Sequence, residues 1–286
     1  MRIVDVGTGA PVVIVPGIQG RWEWMSPTVH ALSSRCRVVT FSLADEPTCG
    51  GRFDPTCGFD SYVEQVKDAM DLAGLSTAVV TGVSYGGLVA AAFAARYPQR
   101  VAGLVLVSAI PPGWAPDARV RFYLRAPTLL SPLFLIGSLR LCREIVAANP
   151  GVLSGMRAAA RHGINALTHM FSPARMARRV QALDGLQLDH EFSATHVPTL
   201  VVTGDSTLDS VVPVRLTEEY TRVWPHAERV TLARTGHLGL ITRPDVFADA
   251  VGRFVDRHSR SLRQEKGVGR TLSGPPDAVV REKKVG

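Results

Sequence analysis

The chain has 286 residues, 46% of them apolar and 20% charged, with a formal net charge of +7 at pH 7. That length and apolar fraction suit one large α/β domain, with or without an insertion, and no apolar run approaches the length of a membrane span. The positive charge excludes an obvious nucleic-acid face: residues 1–110 and 196–258 are slightly acidic, while the excess sits in residues 111–195 (10 basic, 5 acidic) and 259–286 (7 basic, 3 acidic), where no aromatic side chain interleaves with the tail's charges.

Residues 1–6 alternate as a short strand and carry neither the apolar region nor the cleavage site of a signal peptide, so a cytoplasmic protein is expected. In that setting Cys36, Cys49, Cys57 and Cys142 read as free thiols, although Cys49 and Cys57 share one polar loop and can pair under oxidising conditions. Residues 12–15 (Val-Val-Ile-Val) fit a strand buried on both faces, followed by a tight loop at 16–20 and a helical stretch at 22–34. A strand is expected at 37–43, a glycine-rich loop to residue 58, and an amphipathic helix at 62–73. Then come an apolar strand at 78–80, a helix at 88–96 and a buried strand at 101–107. Strands alternating with helices in this way predict an α/β fold with a mostly parallel sheet and helices on both faces.

At residue 111 the alternation stops. Residues 111–195 contain no convincing strand but four helical patterns, at 118–125, 132–147, 153–170 and 172–183, which is too much for a structureless loop and predicts an inserted helical cap. A strand at 198–204 resumes the sheet, followed by a helix at 213–224, a strand at 229–232 and a final helix at 244–258. The polar, glycine- and proline-broken tail from 259 to 286 reads as disordered.

The chemistry centres on Gly82-Val83-Ser84-Tyr85-Gly86, a G-x-S-x-G motif between strand and helix. A serine there turns the chain sharply and exposes its hydroxyl beside the helix N-terminus, provided its neighbours two positions away are small. A serine hydroxyl needs a base to take its proton, and His237, directly after the last strand, lies at the matching sheet edge. The base in turn needs a carboxylate, and both Asp205 and Asp209 follow Gly204; Asp205 reads as the turn-former and Asp209 as the acid that reaches over the rim. Negative charge developing on a carbonyl oxygen calls for two fixed N–H donors: the amide of Tyr85 and one from the loop after residues 12–15, Ile18 being the best placed.

With these residues in view, the chain resembles the α/β-hydrolases, specifically the cap-bearing serine hydrolases. The likeness covers about residues 1–258 outside the cap and tail, and rests on Gly82–Gly86, on Asp209 with Val212-Pro213, on Gly236-His237, and on the order Ser, Asp, His. It implies a Ser84–His237–Asp209 triad, an acyl-enzyme, no metal and no cofactor, and a small or medium ester or related acyl substrate. Hydrolysis of C–C bonds, cofactor-free perhydrolysis and a non-catalytic ligand-binding role are the alternatives on the same fold. The chain departs from the family where Pro16-Gly17 stands in place of the common His-Gly, and in a longer spacing from Gly204 to Asp209. Trp24 reads as a core anchor of the first helix, residues 129–136 as cap core or pocket roof, and the cap arginines as solvated helix faces.

Overall fold

The computed structural model describes residues 1–51, 53–138, 140–149, 151, 156–157, 168–169, 171–193, 195–258 and 279–282. Eight strands form one sheet: β1 (Arg2–Val6), β2 (Pro11–Val15), β3 (Arg37–Thr40), β4 (Ala78–Val83), β5 (Val101–Val107), β6 (Thr199–Thr203), β7 (Glu228–Thr231) and β8 (Val279–Glu282), in spatial order β7-β6-β5-β4-β2-β3-β1-β8. From β3 to β7 every pairing is parallel; β1 pairs antiparallel with both β3 and β8.

Parallel strands need covered faces, and the valine-rich segments meet that need by alternation. Val13, Val15, Val80 and Leu104 point into one apolar layer, whereas Val12, Ile14, Val79 and Val105 point into the other. Burying each such side chain contributes about 1.5–3 kcal/mol. The first layer packs under α2 (Asp60–Leu72) and α3 (Tyr85–Arg96), and the second under α1 (Ser26–Ser33) and a C-terminal helix over Pro244–His258. Helix α3 is apolar all round, as a helix enclosed on every side must be, and its alanines let it approach the sheet closely.

Between β5 and β6 the structure places α4 (Ala118–Arg125), α5 (Ser131–Ser138), α6 (Leu141–Ala148), α7 (Pro173–Gln181) and α8 (Asp189–Ser193). The pattern expected as one helix over 132–147 is two helices, parted where Gly137 weakens helix propensity. The helix expected over 153–170 falls largely outside the described residues. Beyond β6 come α9 (Val214–Thr217) and α10 (Tyr220–Val223), then β7, α11 (Gly239–Thr242) and α12 (Pro244–His258). Tyr220 Oη and Thr217 Oγ1 donate to the carbonyls of Ile110 and Ala109, and Trp224 Nε1 donates to that of Phe192, so α9 and α10 are tied to the end of β5 and to α8.

The expectation of a disordered tail is corrected at residues 279–282. The edge strand β1 leaves a row of unpaired backbone groups, and the β-branched pair at 279–280 suits a partner strand, so the chain returns there as β8. The rest of the tail lies outside the described residues. No helix among the described residues is long and apolar enough to cross a membrane.

Candidate active site

Strand β4 delivers Ser84 to the carboxyl rim of the sheet, and the turn there is tight. Ser84 adopts φ 54° and ψ −117°, a strained conformation for a residue with a side chain, costing about 1–3 kcal/mol. The strain is held by Ser84 N–H donating to the Val107 carbonyl at 2.8 Å and by Gly87 N–H donating to the Ser84 carbonyl at 2.9 Å. A Cβ on Gly82 would stand 2.2 Å from the Gly86 carbonyl oxygen, and one on Gly86 would stand 2.3 Å from that of Pro16. Neither position accepts a side chain, which is the physical content of the motif.

The same close approach sets the loop after β2 beside the serine. A Cβ on Gly17 would lie 3.6 Å from Ser84 Cβ. Gly20 N–H donates to the Gly17 carbonyl at 2.9 Å, fixing the Gly17–Ile18 peptide plane; in a trans peptide the Ile18 N–H then points the opposite way. The Ile18 carbonyl is taken by Arg179 Nη1 at 2.6 Å. Tyr85, first in α3, has an N–H with no partner inside its helix, while its ring turns away to pack edge-on against Phe59 and Tyr62.

Asp209 and His237 converge at the neighbouring strand ends. Gly204 and Gly236 lie backbone to backbone, and a Cβ on Gly236 would be 2.7 Å from the Leu208 carbonyl group. Across that contact His237 Nδ1 lies 3.5 Å from Asp209 Oδ1, an ion-pair distance slightly longer than a formed hydrogen bond. Asp209 Oδ1 also accepts from the amides of Val211 (3.1 Å) and Val212 (3.0 Å). Burial pushes its carboxyl up, but His237 and these amides outweigh burial and hold it below the ordinary carboxylate range. Asp209 Oδ2 and His237 Nδ1 are both buried without a hydrogen-bond partner among the described residues, so a slight closure serves both. Ser84, Asp209 and His237 are each 7% exposed. Ser84 and His237 make no hydrogen bond with each other among the described residues; such bonds tighten when substrate is bound.

Asp205 is elsewhere engaged. Its Oδ1 accepts from Thr207 N (3.0 Å) and Thr207 Oγ1 (2.8 Å), an exposed turn that matches the turn-former reading. His196, His226 and His258 gather with Glu228 around a cavity at the amino ends of β6 and β7, the rim opposite Ser84. Among the described residues no group of His, Cys, Asp and Glu side chains has the arrangement of a metal site. All four cysteines are free.

The segment between β5 and β6 contributes more than its sequence suggests. Arg179 on α7 is wholly buried, not a solvated helix face: beyond the Ile18 carbonyl it binds Asp45 Oδ1 (3.0 and 2.6 Å) and Glu46 Oε1 (2.6 Å), and its guanidinium fills the space where Gly20 lacks a side chain. Glu144 on α6 is likewise buried, against the loop of His237. Nothing in the sequence separates these two from other charges on helical patterns. Trp24 reaches the same segment, donating to the His169 carbonyl at 3.1 Å and packing on Phe171, so it is not simply an anchor of the first helix. Leu129, Leu133 and Ile136 are exposed, which corrects their reading as cap core.

A model of the alpha/beta hydrolase family matches residues 12–250. The chain belongs to that family. Membership makes this alpha/beta hydrolase an enzyme of the hydrolase class and accounts for the sheet order and for the elbow at Ser84. Among similar proteins, RutD of Rhizobium rhizogenes, whose name assigns it carbamate hydrolysis, is 26% identical over 268 residues, covering 87% of this chain and 93% of its own. The pimeloyl-[acyl-carrier protein] methyl ester esterase of Aliivibrio salmonicida is 24% identical over 272 residues, covering 90% and 96%. Among solved structures, the enol-lactonase of Burkholderia xenovorans superposes with a TM-score of 0.71 at 20% identity, over 90% of this chain and 96% of that one, a likeness of fold.

Proposed function

We propose that this alpha/beta hydrolase is a serine hydrolase of small or medium carboxylic esters or related acyl compounds, working through Ser84, His237 and Asp209. His237 takes the Ser84 proton as Oγ attacks the acyl carbon, and the Tyr85 and Ile18 amides receive the charge on the carbonyl oxygen. The imidazolium returns the proton to the departing alcohol or amine. Water then attacks the acyl-enzyme with His237 as base, freeing the acid and Ser84. Asp209 holds the imidazole tautomer and stabilises its charged form. Residues 111–195 act as the helical cap over the strand ends, shaping the acyl pocket.

The observation that supports this most directly is the approach of His237 Nδ1 to Asp209 Oδ1, 3.5 Å, at the rim where Ser84 is held in strained geometry. Relatives named for carbamate and methyl ester hydrolysis favour substrates whose leaving group is an amine or a small alcohol. The test is turnover of p-nitrophenyl esters of rising chain length, and of matching carbamates, by wild type and Ser84→Ala. The expected outcome is a chain-length preference in the wild type and no turnover above background in a folded variant. Wild-type turnover by Ser84→Ala rejects the proposal.

A further inference from the structure

Glu144 lies on α6, within the helical segment and 92 residues before Gly236 in the chain. Its side chain is 1% exposed, and one oxygen, Oε1, accepts the Gly236 N–H at 2.9 Å together with the Leu238 N–H. Those two amides stand on either side of His237. Here the carboxylate pins the chain at the Thr235–Gly236 peptide and at the His237–Leu238 peptide, and so restricts the backbone, and with it the side-chain direction, of the residue held between them. Its second oxygen, Oε2, is buried with no hydrogen-bond partner among the described residues.

The charged groups around Glu144 come from both sides of the contact. His237 and Asp209 face it from the core, and Arg140, one turn earlier, stands in the field of Asp209. Burial pushes the Glu144 carboxyl up to about 7, against the opposing pull of the Leu238 amide, His237 and the Gly236 amide. A buried carboxyl group within electrostatic reach of the imidazole does more than tie two segments together. When Ser84 gives up its proton the imidazole becomes positive, and above about pH 7, where Glu144 is ionised, its negative charge stabilises that state.

We propose that Glu144 is a positioning residue of this hydrolase: reaching in from the helical segment, it orients the His237 loop and sets a second negative charge beside the imidazole, so that the base is competent only while α6 is seated on the core. The inference rests on the Ser84–His237–Asp209 reading. It makes the segment between β5 and β6 part of the catalytic apparatus as well as the wall of a pocket.

Two variants of the full chain separate orientation from charge. Glu144→Gln keeps shape and an oxygen for both amides but removes the charge. Glu144→Asp keeps the charge but is too short to hold both amides. Both are assayed on p-nitrophenyl butyrate for kcat, KM and the pH dependence of kcat/KM, with circular dichroism and thermal melting as checks of folding. For Glu144→Gln the expected result is a fall in kcat of about ten-fold, with KM changed less than about two-fold and the acid limb of the profile moved to lower pH. For Glu144→Asp it is a similar fall in kcat with the acid limb unmoved. Folded variants with wild-type kcat and an unmoved acid limb, or a loss confined to KM, overturn the proposal. Ser84→Ala in the same series tells the two failures apart. If that variant is dead while Glu144→Gln is normal, only the role of Glu144 falls; if it turns over, the triad falls and takes this role with it.

Discussion

Placing a methyl group at Gly236 tests whether the closeness of two loops, rather than residue identity alone, makes the site. Gly236 is not in the left-handed region, so Gly236→Ala meets no backbone strain and acts through contact alone. The new Cβ would stand 2.7 Å from the Leu208 carbonyl group and 2.8 Å from the Asp209 nitrogen, all backbone atoms with no rotamer to escape into. Reaching the 3.4 Å of ordinary contact requires the loops to part by about 0.7 Å (3.4 − 2.7), which moves His237 away from an Asp209 already 3.5 Å distant. Overpacking of this kind costs about 1–3 kcal/mol of stability. Misplacement approaching 1 Å at a catalytic group costs up to about 100-fold in rate. The expected result is a kcat lowered about 10- to 100-fold with KM nearly unchanged, in a protein that still folds cooperatively. Steady-state kinetics and urea unfolding measure both. A folded Gly236→Ala enzyme with kcat within two-fold of wild type refutes the reasoning.

Other perturbations address separate contacts. Asp209→Asn is expected to lower kcat by about 10⁴-fold by losing the tautomer and the charge, while Asp205→Asn, altering only an exposed turn, stays within about two-fold; steady-state assays of the pair decide which carboxylate serves the base. Arg179→Met leaves Asp45 buried without its cation, while Glu46 keeps Arg175, and is expected to cost about 3–5 kcal/mol in urea unfolding, with part of the loss restored when Asp45→Asn is added. Because the folded Glu144 value of about 7 lies above its ordinary 4.5, the group's contribution to stability is full below pH 4.5 and is lost as pH rises through 7. The wild type should therefore lose about 3 kcal/mol relative to Glu144→Gln between pH 4.5 and pH 8, read as the difference of their urea midpoints. A variant less active yet more stable in alkali is the signature of a charge kept for function.

The sheet was legible because its strands carry β-branched runs bounded by glycine and proline, and because Ser84, Asp209 and His237 each follow such a run. Local sequence sufficed there: Gly82 and Gly86 have no room for a Cβ, and the motif records that. What escaped the sequence was tertiary. Glu144 and Arg179 sit on helical patterns among exposed charges, and only the packing of α6 and α7 against the His237 and Ile18 loops buries them. The antiparallel β1–β8 pairing escaped for a related reason, since a polar tail shows no sign of the strand edge waiting for residues 279–282. Asp205 and Asp209 stand four positions apart after one glycine. Their surroundings part because one carboxylate turns outward to Thr207 and the other inward to Val211, Val212 and His237.

The claim on which the account depends is that the hydroxyl of Ser84 is the nucleophile. The most direct measurement is intact-protein and peptide mass spectrometry after treatment with a fluorophosphonate. The account predicts one adduct per chain, on the peptide bearing Ser84, with loss of esterase activity in step, and greatly slowed labelling in His237→Ala. An unlabelled Ser84 in an enzyme that still turns over ester would contradict it.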